Sequence, residues 1–268
     1  MNTIEHESSV PADLRRDQML DVVRRRDFTT VTELSGLFSV SEVTIRSDLD
    51  ELASRGNIRR VRGGALPTGM PRRERAFEES EEAFAGEKSA IGRAAADLVR
   101  TGDTVILDVG TTTAAIARAL AMRNDLRDVV VFTNSLTIAM ELEHVIPRFT
   151  VVVTGGTLRP LQHSLVDPLG DGVLDRIRAD LAFIGCNGVD PVAGITNINL
   201  PEAEMKRRMM SSGRKRVVVA DGSKVGQVEL ARLCAVADVD LLLTGASADE
   251  AIIEALRQGG MRVEVVDG

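Results

Sequence analysis

The segment Asp108-Val109-Gly110-Thr111-Thr112-Thr113 brings together the residue types that hold an anion. Gly110 lets the backbone approach a ligand closely. The three threonines offer hydroxyls and N–H groups where a helix is expected to start, which makes a nest suited to a phosphate. Other polar stretches follow apolar runs in the same way. Thr133-Asn134-Ser135 is one. Gly155-Gly156-Thr157 is another, with Arg159 and the loop Gln162-His163-Ser164 behind it as candidates for specificity. Ala220-Asp221-Gly222-Ser223-Lys224 is a third, and its lysine suits a phosphate or a sugar hydroxyl. Each stretch alone is more often a helix cap or a turn. Residues spaced as Glu202 and Lys206 are, four apart on a helix, most often form a surface ion pair worth a few tenths of a kcal/mol. Their repetition after successive strands of one domain is what points to a phosphorylated small molecule.

A different chemistry occupies the N-terminal quarter. Arg55, Arg59, Arg60, Arg62, Arg72, Arg73 and Arg75 stand against the single acid Glu74, a local charge of +6 in a chain whose net charge is −7. Arginines on a short hairpin pair with phosphates or enter the minor groove, fixing orientation on a duplex. The elements before them fit that use. Thr30 and Glu33 have capping-box spacing, and Val31, Leu34 and Phe38 recur about once per turn. Ser39-Val40-Ser41 breaks this helix, and Ser41 can cap the next. Ile45, Leu49 and Leu52 then face inward, which leaves Thr44, Arg46 and Ser47 outward near the helix start, as a recognition helix requires. Gly56 ends that helix, and Asn57–Val61 alternates as a strand before the Gly63-Gly64 turn. The pattern is a winged helix-turn-helix. A plain helical hairpin with a solvated charge run is the competing reading.

From about Phe84 the texture becomes alternating strand and helix. Strands are expected at Thr104–Val109, Val129–Thr133, Thr150–Thr154, Leu181–Ile184, Arg216–Ala220, Val239–Thr244 and Arg262–Val266. Helices are expected at Lys88–Arg100, Thr112–Met122, Leu136–Glu143, Pro201–Ser211 and Ser247–Gln258. Continuous apolar strands separated by amphipathic helices imply an α/β domain with a mostly parallel sheet. Ligands bind such sheets beyond the carboxyl ends of the strands, where the polar stretches lie. The expected organisation is a disordered tail 1–11, a DNA-binding domain 12–66, a linker 67–83 and a sensor domain 84–268.

The string VTELSGLFSVSEVTIRSDLDELASRGNIRRVRGGA resembles the N-terminal domain of the DeoR/GlpR family of bacterial transcriptional regulators. LDVGTTT, FTNS, VTGGTLR, DLAFIGCNGV, GITN, PEAEMKRRM and VVVADGSK are similar, in order and spacing, to the C-terminal sensor domain of that family. The resemblance covers nearly the whole chain after the tail. It implies Ser41, Thr44, Arg46 and the wing arginines as DNA contacts, and a sensor fold related to ribose-5-phosphate isomerase that binds a phosphorylated sugar or polyol. It places the phosphate at Gly110–Thr113 and Asn134–Ser135, the sugar beside Asp108, Asn187, Glu202 and Lys206, and Lys224 as the closing residue. Two positions depart from the family pattern: Ser47 stands where a second arginine is usual, and Gly222 where a serine is often found.

Composition narrows the partners. With no tryptophan or tyrosine and seven phenylalanines, base-stacking recognition of single strands is disfavoured, so duplex DNA is the expected nucleic acid. Cys186 and Cys234 lie far apart without CxxC spacing, and His6, His144 and His163 form no ligand cluster, so neither metal nor cofactor is expected. No apolar run reaches membrane-spanning length, the start MNTIEHESSVPADL has no signal pattern, and a cytoplasmic location is expected. A helix-turn-helix protein reads paired half-sites, so a dimer or tetramer is expected. Two other functions fit parts of the chain. A sugar-phosphate isomerase would use Asp108, Glu202 or Asp221 as base and Lys224 as the positive charge, but the DNA-binding elements would then be surplus. An architectural DNA binder would leave the phosphate-type loops unexplained. A ligand-controlled repressor, with no catalytic residue, uses both halves.

Overall fold

The computed structural model describes residues 11–25, 28–61, 63–67, 74–166 and 171–267. It divides into two compact units, Met1–Arg72 and Arg73–Gly268. Arg62, Arg72 and Arg73 of the basic run lie outside the described residues, as do residues 1–10 of the expected tail and 68–73 of the expected linker.

The smaller unit holds α1 (Ala12–Arg25), β1 (Thr29–Thr30), α2 (Val31–Phe38), α3 (Glu42–Ser54), β2 (Ile58–Val61) and β3 (Gly64–Pro67), with the strands in the order β1-β3-β2. The expected capping box forms: Thr30 Oγ1 accepts from the Glu33 N–H at 3.0 Å, and Glu33 accepts from the Thr30 N–H at 2.8 Å. Ser41 caps α3 through the Thr44 N–H. Ile45, Leu49 and Leu52 are buried with Val31 and Leu34. The sequence reading did not include α1, which fills this core with Met19, Leu20 and Val23. It also supplies Arg15 and Arg16, whose Nε atoms hold the two oxygens of buried Asp48 on α3 at 2.7 and 2.8 Å.

The larger unit runs α4 (Phe77–Glu82), α5 (Ala85–Ala96), β4 (Thr104–Leu107), α6 (Thr111–Met122), β5 (Val129–Thr133), α7 (Leu136–Glu143), β6 (Phe149–Val153), β7 (Thr157–Arg159), β8 (Ser164–Val166), α8 (Asp171–Leu174), β9 (Ala179–Gly185), β10 (Gly188–Asp190), β11 (Gly194–Asn197), α9 (Leu200–Ser212), β12 (Gly213–Ala220), β13 (Ala231–Cys234), β14 (Leu241–Gly245), α10 (Glu250–Gln258) and β15 (Val263–Val266). Seven strands form one parallel sheet in the order β15-β14-β12-β9-β4-β5-β6. Alternate residues feed opposite faces. Leu107 and Phe183 join Ile91 and Ile116 in one core, while Ile106 and Ile184 join Met205 and Met209 in the other. A sheet covered on both faces needs apolar residues at every strand position, which is why its strands read as unbroken apolar runs. On one face α5 and α6 approach so closely that a Cβ on Gly92 would lie 2.6 Å from the Ala115 carbonyl oxygen.

The chain lays down β4, β5 and β6 to one side, then returns to pair β9 with the other edge of β4 and builds outward from there. The strand order therefore reverses between β4 and β9, and this switch point opens a crevice at the carboxyl ends of both. Two smaller antiparallel sheets, β7-β8 and β10-β11-β13, stand outside the set of strands expected from sequence. Their strands are three or four residues long. Residues 74–83, read as the second half of the linker, belong to this unit: Phe77 is buried in its core and begins α4. Among the described residues no helix is long and apolar enough to cross a membrane.

Candidate functional site

Asp108 leaves the end of β4 at the switch point and is fully buried. Its Oδ2 accepts from the Gly185 N–H at 3.1 Å, on the neighbouring strand, and from Lys206 Nζ. Oδ1 is buried without a hydrogen-bond partner among the described residues. Burial pushes the Asp108 carboxyl up to about 6, with Lys206 pulling the other way. Glu202 and Lys206 do not form the exposed i,i+4 pair that their spacing also suited. Both are buried on the inner face of α9, and each reaches a partner far away in sequence. Lys206 serves Asp108. Glu202 accepts from Ser164 Oγ at 2.7 Å and from Arg159.

Gly110 caps α6 without a side chain, at φ 146, a backbone that favours glycine. The first N–H groups of an α-helix have no intrahelical acceptor, so those of Thr111, Thr112 and Thr113 point toward whatever lies beyond the helix start. The Thr113 hydroxyl donates to the Gly110 carbonyl at 2.9 Å. Asn134 steadies the same turn, its Oδ1 accepting from the Val109 N–H at 3.0 Å, and Ser135 caps α7. Asn187 accepts from the Ile198 N–H, bracing the start of the loop after β9.

The Gly155-Gly156 turn has φ of 82 and 121 and leads into the β7–β8 hairpin; a Cβ on Gly156 would clash with the Val166 carbonyl. Arg159 lies between Glu202 and Glu74, 2.7 Å from the latter. Gln162 donates to the Arg75 carbonyl. His163 stacks on Phe77 with ring centroids 5.6 Å apart and shares a 3.1 Å hydrogen bond with the Thr137 hydroxyl. The side chains of Gln162 and His163 thus have protein partners in residues 75–78 and in α7.

A second polar group surrounds the ends of β12 and β14. Asp221 is buried and accepts from the Ser223 N–H and hydroxyl. Burial alone would raise its carboxyl, but Lys224, Lys88 and Ser223 outweigh it and hold it below the usual range. Lys88 was missed by the sequence reading. Its position on the buried face of α5 with Ile91, Gly92 and Ala95 was the available signal. Its ammonium donates to the Ser80 carbonyl, and burial lowers it to about 8. Its neighbour Glu87 ties two loops together, accepting from the N–H groups of Gly222 at 3.0 Å and Ser247 at 2.8 Å. Burial pushes the Cys186 thiol, next after β9, up to about 12. A groove of about 530 Å³ between α5 and α6 touches the site at Lys88 and Thr111 and is otherwise lined largely by alanines and by arginine side chains.

In the smaller unit the outward face of α3 carries Val43, Arg46 and Ser47 in solvent. Arg46 pairs with Glu42 at 2.6 Å, an exposed pair of little energy. The hydroxyls of Ser41 and Thr44 lie 2.9 Å apart at the first turn. Arg59 and Arg60 lie on the first wing strand. Arg60 also braces the wing, bonding Asp50 of α3 and the Gly64 carbonyl, each at 2.8 Å. Arg55 pairs with Glu51, so part of the basic run is neutralised internally.

Residues 15–67 match the DeoR-like helix-turn-helix domain, and residues 84–246 match the DeoR C terminal sensor domain. The HTH-type transcriptional regulator GlpR of Haloferax volcanii is 35% identical over 97% of this chain and 98% of its own length. The glycerol-3-phosphate regulon repressor of Escherichia coli strain K12 is 29% identical over 94% of this chain and 98% of its own. Among solved structures, ribose 5-phosphate isomerase A from Methanocaldococcus jannaschii matches 52% of this chain and 53% of its own, at 20% identity and a TM-score of 0.38.

Proposed function

This chain belongs to the DeoR family of transcriptional regulators, and we propose on that premise that it represses a carbohydrate-metabolism operon under control of a phosphorylated sugar or polyol. Residues 12–66 bind operator DNA, with Ser41, Thr44, Arg46 and Ser47 at the groove, Arg59 and Arg60 along the wing, and Arg62 as a further contact. Paired half-sites require a dimer or tetramer. The larger unit, from residue 84 on, is the sensor, and the protein works in the cytoplasm without a metal or cofactor.

The observation that carries the ligand reading is the Asp108–Lys206 pair at the switch point, beside a helix start capped only by glycine. Two buried charges are costly to assemble. Here they leave one carboxylate oxygen for a hydroxyl, while the N–H groups of Thr111–Thr113 and the cations Lys88 and Lys224 suit a phosphate. Gly155, Gly156, Asn134, Ser135, Asn187 and Asp221 shape the surrounding loops, and Arg159, Gln162 and His163 set specificity from the hairpin.

The test is calorimetric titration of the full chain with sugar phosphates and their unphosphorylated parents. Binding that requires the phosphate, and that Lys224→Ala with Thr112→Val abolishes, supports the reading. Equal binding of the parent sugars contradicts it. The absence of turnover of ribose 5-phosphate separates a sensor from an isomerase.

A further inference from the structure

Residues 74–83 follow directly on the stretch that leads out of the DNA-binding unit; their first half is anchored on the β7–β8 hairpin, and their second half on α5 and α6, through Lys88 to the Ser80 carbonyl and Arg118 to Glu81. The Phe77 N–H donates to the Leu161 carbonyl at 2.9 Å, Gln162 holds the Arg75 carbonyl, and Arg159 Nη2 holds Glu74 at 2.7 Å. The hairpin meets the ligand site through other atoms. Arg159 Nη1 and Ser164 Oγ both donate to Glu202, and Leu165 exchanges hydrogen bonds of 2.8 and 3.2 Å with Asn134. One guanidinium therefore serves two carboxylates, one in the site and one in the segment. Counted with Asp108 and Lys206, this cluster has a net charge of −1. A phosphate monoester arriving nearby adds between about −1.5 and −2, which makes it costlier to keep two carboxylates beside one cation. Glu74 is the one more easily released, since its side chain keeps 17% of its exposure against 7% for Glu202.

We propose that residues 74–83 form a clasp opened by the ligand: a phosphorylated ligand draws Arg159 from Glu74 and loosens the start of this segment, ahead of buried Phe77, on the side that leads to the DNA-binding unit. This rests on the reading of the larger unit as a sugar-phosphate sensor. Coupling between sites is reciprocal, so whatever opens the clasp must also tighten ligand binding.

The experiment uses the full chain with inorganic phosphate and glycerol 3-phosphate as probes, and measures affinity by calorimetry and amide hydrogen exchange across residues 74–83. A saturating probe is expected to speed exchange there in the unmodified protein. Glu74→Gln is expected to show the faster exchange without probe and to bind the probe about 5-fold more tightly or better. Glu82→Gln, which removes the same charge from an exposed position of the segment, is expected to do neither. If a probe binds the unmodified protein but exchange in 74–83 does not change, the clasp is wrong and the sensor stands. Equal affinity in Glu74→Gln overturns it likewise. If neither probe nor any other sugar phosphate binds, the sensor reading falls and the clasp falls with it.

Discussion

In the smaller unit Arg46, proposed to meet DNA, stands in solvent, keeping 52% of its side-chain exposure beside its neighbour Glu42. In the larger unit the corresponding groups are sunk into the fold, Lys206 and Asp108 keeping 3% and 0%. The contrast follows from the partners. A duplex presents phosphates and base edges to a convex surface, so its contacts can wait in water until binding. A small ligand must be surrounded, and its contacts have to be paid for during folding, before it arrives. Substitutions at the DNA face should thus change binding without stability, whereas those at the ligand site should change both.

Lys206→Met tests the buried half of that contrast most severely. It leaves Asp108 uncompensated and is expected to cost about 3–5 kcal/mol in denaturant unfolding of the larger unit. Adding Asp108→Asn should recover most of the loss. A single variant as stable as the parent would show that the pair is not held as a buried charge.

The raised Asp108 carboxyl supplies a test by pH. Its folded value of about 6 lies above the unfolded 3.8, so the folded protein binds the proton more tightly. Its contribution to stability is fully present below the unfolded value and is lost as pH rises through about 6. Unfolding free energy should therefore gain on the order of 2 kcal/mol from this group between pH 7 and pH 4. In Asp108→Asn that gain should vanish, which paired denaturation curves would register.

At the exposed face, Arg46→Ala is expected to weaken specific DNA binding about 10- to 100-fold and to move stability by no more than about 0.5 kcal/mol. Anisotropy titration beside a melting curve checks both at once; loss of stability as well would erase the distinction between the two units. The smallest effect is expected at Arg60, which is shared between wing and helix. Arg60→Gln should lower stability by about 1 kcal/mol or less, and should reduce the logarithmic salt slope of DNA binding by about 1 if the same guanidinium also reaches a phosphate.

The two units also differ in how legible they were. Each strand of the parallel sheet was found within a few residues of its place, because full burial leaves an unbroken apolar run. The caps at Thr30 and Ser41 were found because capping is local. The α1 helix was not, since Arg15 and Arg16 look like solvated charge until Asp48, more than 30 residues away, is known to face them. Glu202 and Lys206 gave the same difficulty: their spacing suits a surface pair, and only the folded topology brings Arg159 and Asp108 to them. Lys88 sat among alanines on a helix whose inner face was visible, yet nothing local showed that its ammonium would remain there. Sequence periodicity thus revealed the layers, while the long-range polar pairs that build the site depended on strand order.

The most direct test of ligand-controlled repression is operator binding by the full chain at fixed salt, titrated with sugar phosphates and with the same sugars lacking phosphate. The expected result is that one phosphorylated compound shifts operator affinity about 5-fold or more, that its unphosphorylated parent does not, and that Lys224→Ala abolishes the response while DNA binding persists. Specific operator binding that no phosphorylated compound alters, or that the parent sugar alters equally, would contradict it.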